Sequence, residues 1–221
     1  MNIRQYGQTN YLESMRIFSF ILFFWSLGMF AQQNNFTSVS LKSSASQLTE
    51  KMESAKSLYG EFEQTKVIKM LDVETTSYGR IYYQSPDVIK WEYTKPYPYS
   101  LLFKNNFIYI DDDGQKSKQD MTANKLFAKL GDLITGSLNG KLLKDDANFD
   151  VEYQKKKHHV EAVITPKDKS MADMFEKVIM SFSEDKMLQS VKLQESGEDY
   201  TLISFKNWKM NTPIKASVFQ P

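Results

Sequence analysis

A chain of 221 residues without a single cysteine can bury a core without disulfides. That absence excludes thiol nucleophiles, cysteine metal clusters and the lipidated cysteine of a membrane-tethered lipoprotein. Its 28 basic residues are balanced by 27 acidic ones, a formal charge of +1 that argues against a polyanionic partner such as nucleic acid.

The N-terminus reads as an export signal. Ile17 to Ala31 is an uncharged run of 15 residues behind Arg16, shorter than the roughly 20 a spanning helix needs. Cleavage is expected after Ala31, with Met15 as an alternative start and a membrane anchor as the alternative reading. Removing residues 1–31 takes away Arg4, Arg16 and Glu13 and leaves a net charge of zero. The expected plan is a signal over 1–31 and one exported, periplasmic domain over 32–221.

Residues 32–43 are polar and read as loose. A helix is expected from Ser44, capped by its hydroxyl with Gln47 three residues on, to Gly60, with Leu48, Met52, Ala55 and Tyr59 on one stripe. A strand over Gly60–Leu71 places Phe62, Ile68 and Met70 on one face, and a second covers Thr76–Gln84.

From Tyr78 to Asp113 the chain reads as short strands punctuated by Pro86, Pro96, Pro98 and Asn105-Asn106. Ile89, Trp91 and Tyr93 alternate with Lys90 and Glu92, and Tyr99, Leu101 and Phe103 repeat the habit. Phe107 and Tyr109 are expected on the same surface. Asp113-Gly114 has the form of a hairpin turn returning as Gln115–Met121.

The second helical region begins at Thr122. Leu126, Phe127, Leu130, Leu133, Ile134 and Leu138 keep near-helical spacing, but Gly131, Gly136 and Gly140 predict two short helices or a helix with a mobile loop, a candidate lid. Five further strands alternate Phe149, Val151 and Tyr153; Val160, Ala162 and Ile164; Val178, Met180 and Phe182; Val191 and Leu193; Ile203 and Phe205. The pattern predicts an α+β fold, mainly β, built on a curved antiparallel sheet of about eleven strands with helices to one side.

Reactive groups are scarce. Gly136-Ser-Leu-Asn-Gly140 lacks the strand and spacing of a nucleophile elbow and reads as a turn. His158 and His159 follow Lys155, Lys156 and Lys157 and read as a solvated hairpin, because neighbours on a strand face opposite ways. Asp111-Asp-Asp-Gly114 lacks the alternating acids of a calcium loop. No catalytic residue, metal or cofactor is expected.

Phe62-Glu-Gln64 after an amphipathic helix, Gly79-Arg-Ile-Tyr-Tyr83, Pro86-Asp-Val-Ile-Lys-Trp-Glu-Tyr93, Pro96, Leu101 and Phe107-Ile-Tyr-Ile-Asp111 together resemble the periplasmic outer-membrane lipoprotein carrier family, LolA. The resemblance implies an incomplete barrel whose concave hydrophobic side is covered by helices, and a cavity for the acyl chains of lipoproteins. It also implies an inner-membrane ABC transporter complex as donor, an outer-membrane receptor as acceptor and a monomeric carrier. The apolar faces of strands and helices make the expected cavity lining Phe62, Ile89, Trp91, Tyr93, Leu101 and Phe103 on the sheet, with Leu48, Met52, Leu126, Phe127, Leu130 and Ile134 on the helices. Plain core is the alternative for each of them.

One departure stands out. Where the family carries a basic residue before the proline that opens the tryptophan strand, this chain has Ser85, so Arg80 or Lys90 are the candidates for holding the lid. Two other functions stay open: a related half-barrel that senses lipid or docks a protein without transport, and a lipid hydrolase, which would need a serine near His158 or His159.

Overall fold

The computed structural model describes residues 34–123 and 125–221, without the side chains of 34–43, 125–127, 130 and 196. The segment expected to be an export signal, 1–31, lies outside the described residues. Residues 41–221 form one unit, which contains every site discussed below.

Eleven strands follow in chain order: β1 (Ser57–Ile68), β2 (Val73–Gln84), β3 (Val88–Lys95), β4 (Tyr99–Lys104), β5 (Phe107–Asp112), β6 (Gln115–Asp120), β7 (Phe149–Lys155), β8 (Val160–Pro166), β9 (Lys177–Phe182), β10 (Leu188–Gln194) and β11 (Tyr200–Met210). The described helices are α1 (Asn34–Glu53), α2 (Lys125–Asn139) and the single turn α3 (Lys169–Ala172). All strands join one antiparallel sheet, ordered β6-β5-β4-β3-β2-β1-β11-β10-β9-β8-β7. It consists of two meanders joined where the first strand pairs with the last. Its edges β6 and β7 do not pair, so the curved sheet stays open, as the sequence predicts. The exposed edge β6, Gln115-Lys-Ser-Lys-Gln-Asp120, is wholly polar, which protects it against further strand pairing.

Register decides which side chains share the concave face. Ile81 lies opposite Trp91, Trp91 opposite Leu101, and Leu101 opposite Ile110. On the other half, Ile203, Val191, Met180, Ala162 and Tyr153 form a matching row. The buried members of these rows merge into one hydrophobic core with Leu48, Met52, Leu133 and Leu138 from the helices.

Several boundaries differ from expectation. The first helix begins at Asn34, so 34–43 is helical rather than loose, and Ser44 sits inside it rather than capping it. It ends at Glu53, not Gly60, because the buried positions change period: Leu48, Met52 and Ala55 follow helical spacing, whereas Leu58, Gly60 and Phe62 alternate along β1. Asn211 secures the junction by accepting from the Lys56 N–H at 2.7 Å. Tyr59 therefore belongs to the strand and packs its ring on Tyr82. Met70, expected to share a face with Phe62, lies in the 3-10 turn after β1 and is exposed.

Phe107 and Tyr109 face away from the concave side. Phe103 pairs with Ile108, and Leu102 with Tyr109, so β5 contributes Ile108 and Ile110 inward. Every residue of Phe107-Ile-Tyr-Ile110 is apolar, and only the register with β4 selects the buried parity. Lys118 on β6 covers the Phe107 ring at 3.5 Å.

The glycine-interrupted segment is one continuous helix. At Gly136 an added Cβ would sit 3.2 Å from that of Leu142, so glycine here lets the following 3-10 turn, Lys141–Lys144, pack against α2. Gly140, at φ 78°, ends the helix in the left-handed region. Ser137 is therefore helical, buried, and donates to the Leu133 carbonyl at 2.7 Å, contrary to the expected turn.

Candidate functional site

Helix α2 lies over the concave face and buries Leu133 and Leu138, with Ile134 packed beside them. Between this helix and the sheet remains a gap of about 60 Å³, bordered by Trp91, Leu133, Ile134, Leu138, Val191 and Phe205 among others. A second gap of about 20 Å³ is bordered by Met52, Ala55, Leu58 and Met210. Leu138 and Leu188 border both. No charged residue borders the larger gap. Here α2 packs closely on the sheet, while a wider space of about 530 Å³ opens along its Lys129–Gly136 side, bordered also by Leu142, Phe149 and Met171.

Of the sheet-side residues expected to line a cavity, only Trp91 is among those bordering the gap, and the others pack in the core around it. Phe62, Ile89, Trp91 and Phe103 are buried, with Tyr93 and Leu101 half-buried against them. Phe62 lies opposite Gly79, where an added Cβ would meet its ring at 2.4 Å, so the missing side chain makes room for the aromatic. Its ring stands 4.6 Å from Trp91 and 5.3 Å, edge-on, from Tyr93. On the helix side Leu48 and Met52 are buried and Ile134 borders the gap. The side chains of Leu126, Phe127 and Leu130 lie outside the described residues.

Sequence reasoning confined the sheet wall to β1, β3 and β4 and missed the other half. Val178, Leu188, Val191, Leu193, Ile203 and Phe205 also border the larger gap. Most of them had been recognised as inward positions of late strands. What was missing was the pairing of β1 with β11, which sets Phe205 opposite Phe62.

Polar groups at the rim hold α2 in place. Lys129 of α2 reaches Asp168 at 2.7 Å and donates to Ser170 Oγ at 2.6 Å, tying the helix to the α3 turn. The Asp168 side chain also accepts from the Met171 N–H, capping α3. Hydrogen bonds from Lys129, then from Ser170, hold its carboxyl far below the usual range. The proposed substitutes Arg80 and Lys90 do not serve. Both lie on the opposite parity to Ile81 and Trp91 and instead flank Glu92, at 3.6 and 3.7 Å, on the convex side.

Trp91 carries the one anomaly. It is 8% exposed, and its indole Nε1 is the buried side-chain polar atom left without a hydrogen-bond partner among the described residues. The histidines are at the β7–β8 turn, where His159 Nε2 lies 3.0 Å from Glu161 and His158 3.9 Å from Glu184.

Residues 53–221 match the family described as outer membrane lipoprotein carrier protein LolA. An outer-membrane lipoprotein carrier protein of Cupriavidus taiwanensis is 30% identical over 200 residues, covering 88% of this chain and 89% of that protein. A protein of the same name from Cupriavidus necator is 31% identical over 170 residues, 75% and 77% of the two chains. Among solved structures, a LolA superfamily protein from Nitrosomonas europaea aligns with 80% of this chain and 97% of its own at 10% identity and a TM-score of 0.43.

Proposed function

Since this chain belongs to the outer-membrane lipoprotein carrier family LolA, we propose that it is a periplasmic carrier that shields lipoprotein acyl chains between sheet and lid on the way from inner to outer membrane. The observation that carries this reading is an apolar gap, bordered by no charged residue, between the concave face and helix α2. Phe62, Ile89, Trp91, Tyr93, Leu101 and Phe103 would line the sheet side, with Leu48, Met52 and Ile134 opposite, joined by Leu126, Phe127 and Leu130.

The magnitudes favour exchange. Exposing Leu133, Ile134 and Leu138 costs about 5–9 kcal/mol at roughly 1.5–3 each. Burying a saturated chain of about 16 carbons returns about 12 kcal/mol at roughly 0.8 per methylene. One chain outweighs the lid, and a multiply acylated lipoprotein does so by more.

Such a carrier takes its cargo from an inner-membrane ABC transporter complex, delivers it to an outer-membrane receptor and works as a monomer. Titrating the delipidated chain from residue 32 onward with a fluorescent palmitic acid analogue is expected to give saturable binding, displaced by unlabelled fatty acid. Absence of binding refutes the reading. Ser85, with Arg80 and Lys90 turned to the convex side, favours a second reading, a half-barrel that binds lipid without transporting it. Such a protein binds the analogue yet fails to extract a lipoprotein from membranes.

A further inference from the structure

A buried N–H without an acceptor is rare in folded proteins and calls for a physical reason. Trp91 supplies one beside the gap under α2, in a wall whose other polar side chain, Ser137, spends its hydroxyl on the Leu133 carbonyl. Phe62 and Phe205 pack against its ring and offer no acceptor. The neighbouring Tyr93 hydroxyl is the nearby polar group, but it misses hydrogen-bond geometry with the indole and donates to Gln64 Oε1 at 3.0 Å. Phenylalanine would fill a similar place without the cost of an unmet donor. The donor is thus matched by nothing in the closed form.

Resting on the carrier reading above, we propose that the Trp91 indole N–H is the polar contact of the acyl site and donates to the carbonyl oxygen of a bound acyl ester or amide. An acyl group is the ligand chemistry that suits this place: a long apolar tail for the uncharged wall, and one neutral acceptor at its head. A charged headgroup would meet no counter-ion there, since none of the residues bordering the gap is ionisable. The same donor would help the closed lid give way. Loading satisfies an indole that closure leaves unpaired, so this interaction favours the loaded state over the empty one.

The experiment compares three probes on the delipidated chain from residue 32 onward: dipalmitoylglycerol, its dihexadecyl ether analogue, which lacks the carbonyls, and N-palmitoyl ethanolamine. Each competes against the fluorescent fatty acid. Wild type is expected to prefer the ester over the ether by about fivefold, the worth of one ordinary hydrogen bond. Trp91→Phe should bring the ester-to-ether ratio to about one, whatever it does to the affinity for either probe alone, and a ratio unchanged in Trp91→Phe would overturn the proposal; Tyr93→Phe should keep the wild-type ratio. A preference for the amide over the ether as well assigns the site to carbonyls in general; a preference for the ester alone assigns it to glycerol esters. Equal affinity of wild type for ester and ether overturns the proposal, whatever the variants do. Failure of every probe to bind instead overturns the carrier reading.

Discussion

If α2 occupies the place of the cargo, weakening its seat should strengthen cargo binding. Leu133 is 7% exposed and borders the gap between helix and sheet. Leu133→Ala removes apolar packing from the closed lid and enlarges a void that already exists, a loss of about 2–3 kcal/mol in global stability, at the low end of buried leucine truncations. Because lid opening precedes loading, part of the same loss is subtracted from the cost of displacing α2. A reduction of about 2 kcal/mol in that cost tightens apparent binding roughly thirtyfold. Urea unfolding of the apo protein and titration with the fluorescent fatty acid measure the two effects. The diagnostic is their opposite sign. Should Leu133→Ala weaken binding in parallel with stability, the helix is a fixed wall of the site or plain core, and the exchange of lid for cargo is refuted.

Three other outcomes follow from the packing. Gly79→Ala should cost about 3 kcal/mol or more by urea unfolding, since its Cβ would lie 2.2 Å from the Glu92 carbonyl oxygen and 2.4 Å from the Phe62 ring; a loss under about 1 kcal/mol would contradict the aromatic-over-glycine contact. Lys129→Met should speed amide exchange along α2 while leaving exchange in β3 unchanged, because it severs the tie to Asp168 and Ser170 without touching the sheet; unchanged α2 exchange would show the tie to be idle. Burial raises the Tyr93 phenol above its ordinary value of 10.0. The folded state therefore holds the proton more tightly than the unfolded chain. Its contribution is fully present below pH 10 and is lost as pH rises through the higher folded value. Tyr93→Phe should flatten that alkaline loss, read from melting temperatures at several pH values above 9.

The strands were legible because one face of most of them is apolar and the other polar. Ile89, Trp91 and Tyr93 against Lys90 and Glu92 leave only one way to face the core. Where both parities are apolar, as in Phe107-Ile-Tyr-Ile110, period alone cannot choose, and the register with Phe103 decides. The same alternation could have placed Arg80 and Lys90 on the convex side, since each is flanked by buried neighbours of the opposite parity. Gly131 and Gly136 were read for their propensity, which disfavours helix by about 1 kcal/mol each. Packing prevailed, because at Gly136 the missing side chain admits Leu142. The far wall of the gap, from Val178 to Phe205, depends on a pairing between residues far apart in sequence that no local pattern encodes. The unpaired Trp91 N–H likewise exists only in the assembled core.

Hydrogen exchange of residues 125–139, followed with and without a saturating long-chain fatty acid, tests most directly whether cargo takes the place of the lid. Loading should speed exchange along α2 while β3 and β4 hold their protection. If α2 stays as protected as before with ligand bound, the hydrocarbon lies elsewhere and the helix is not a lid.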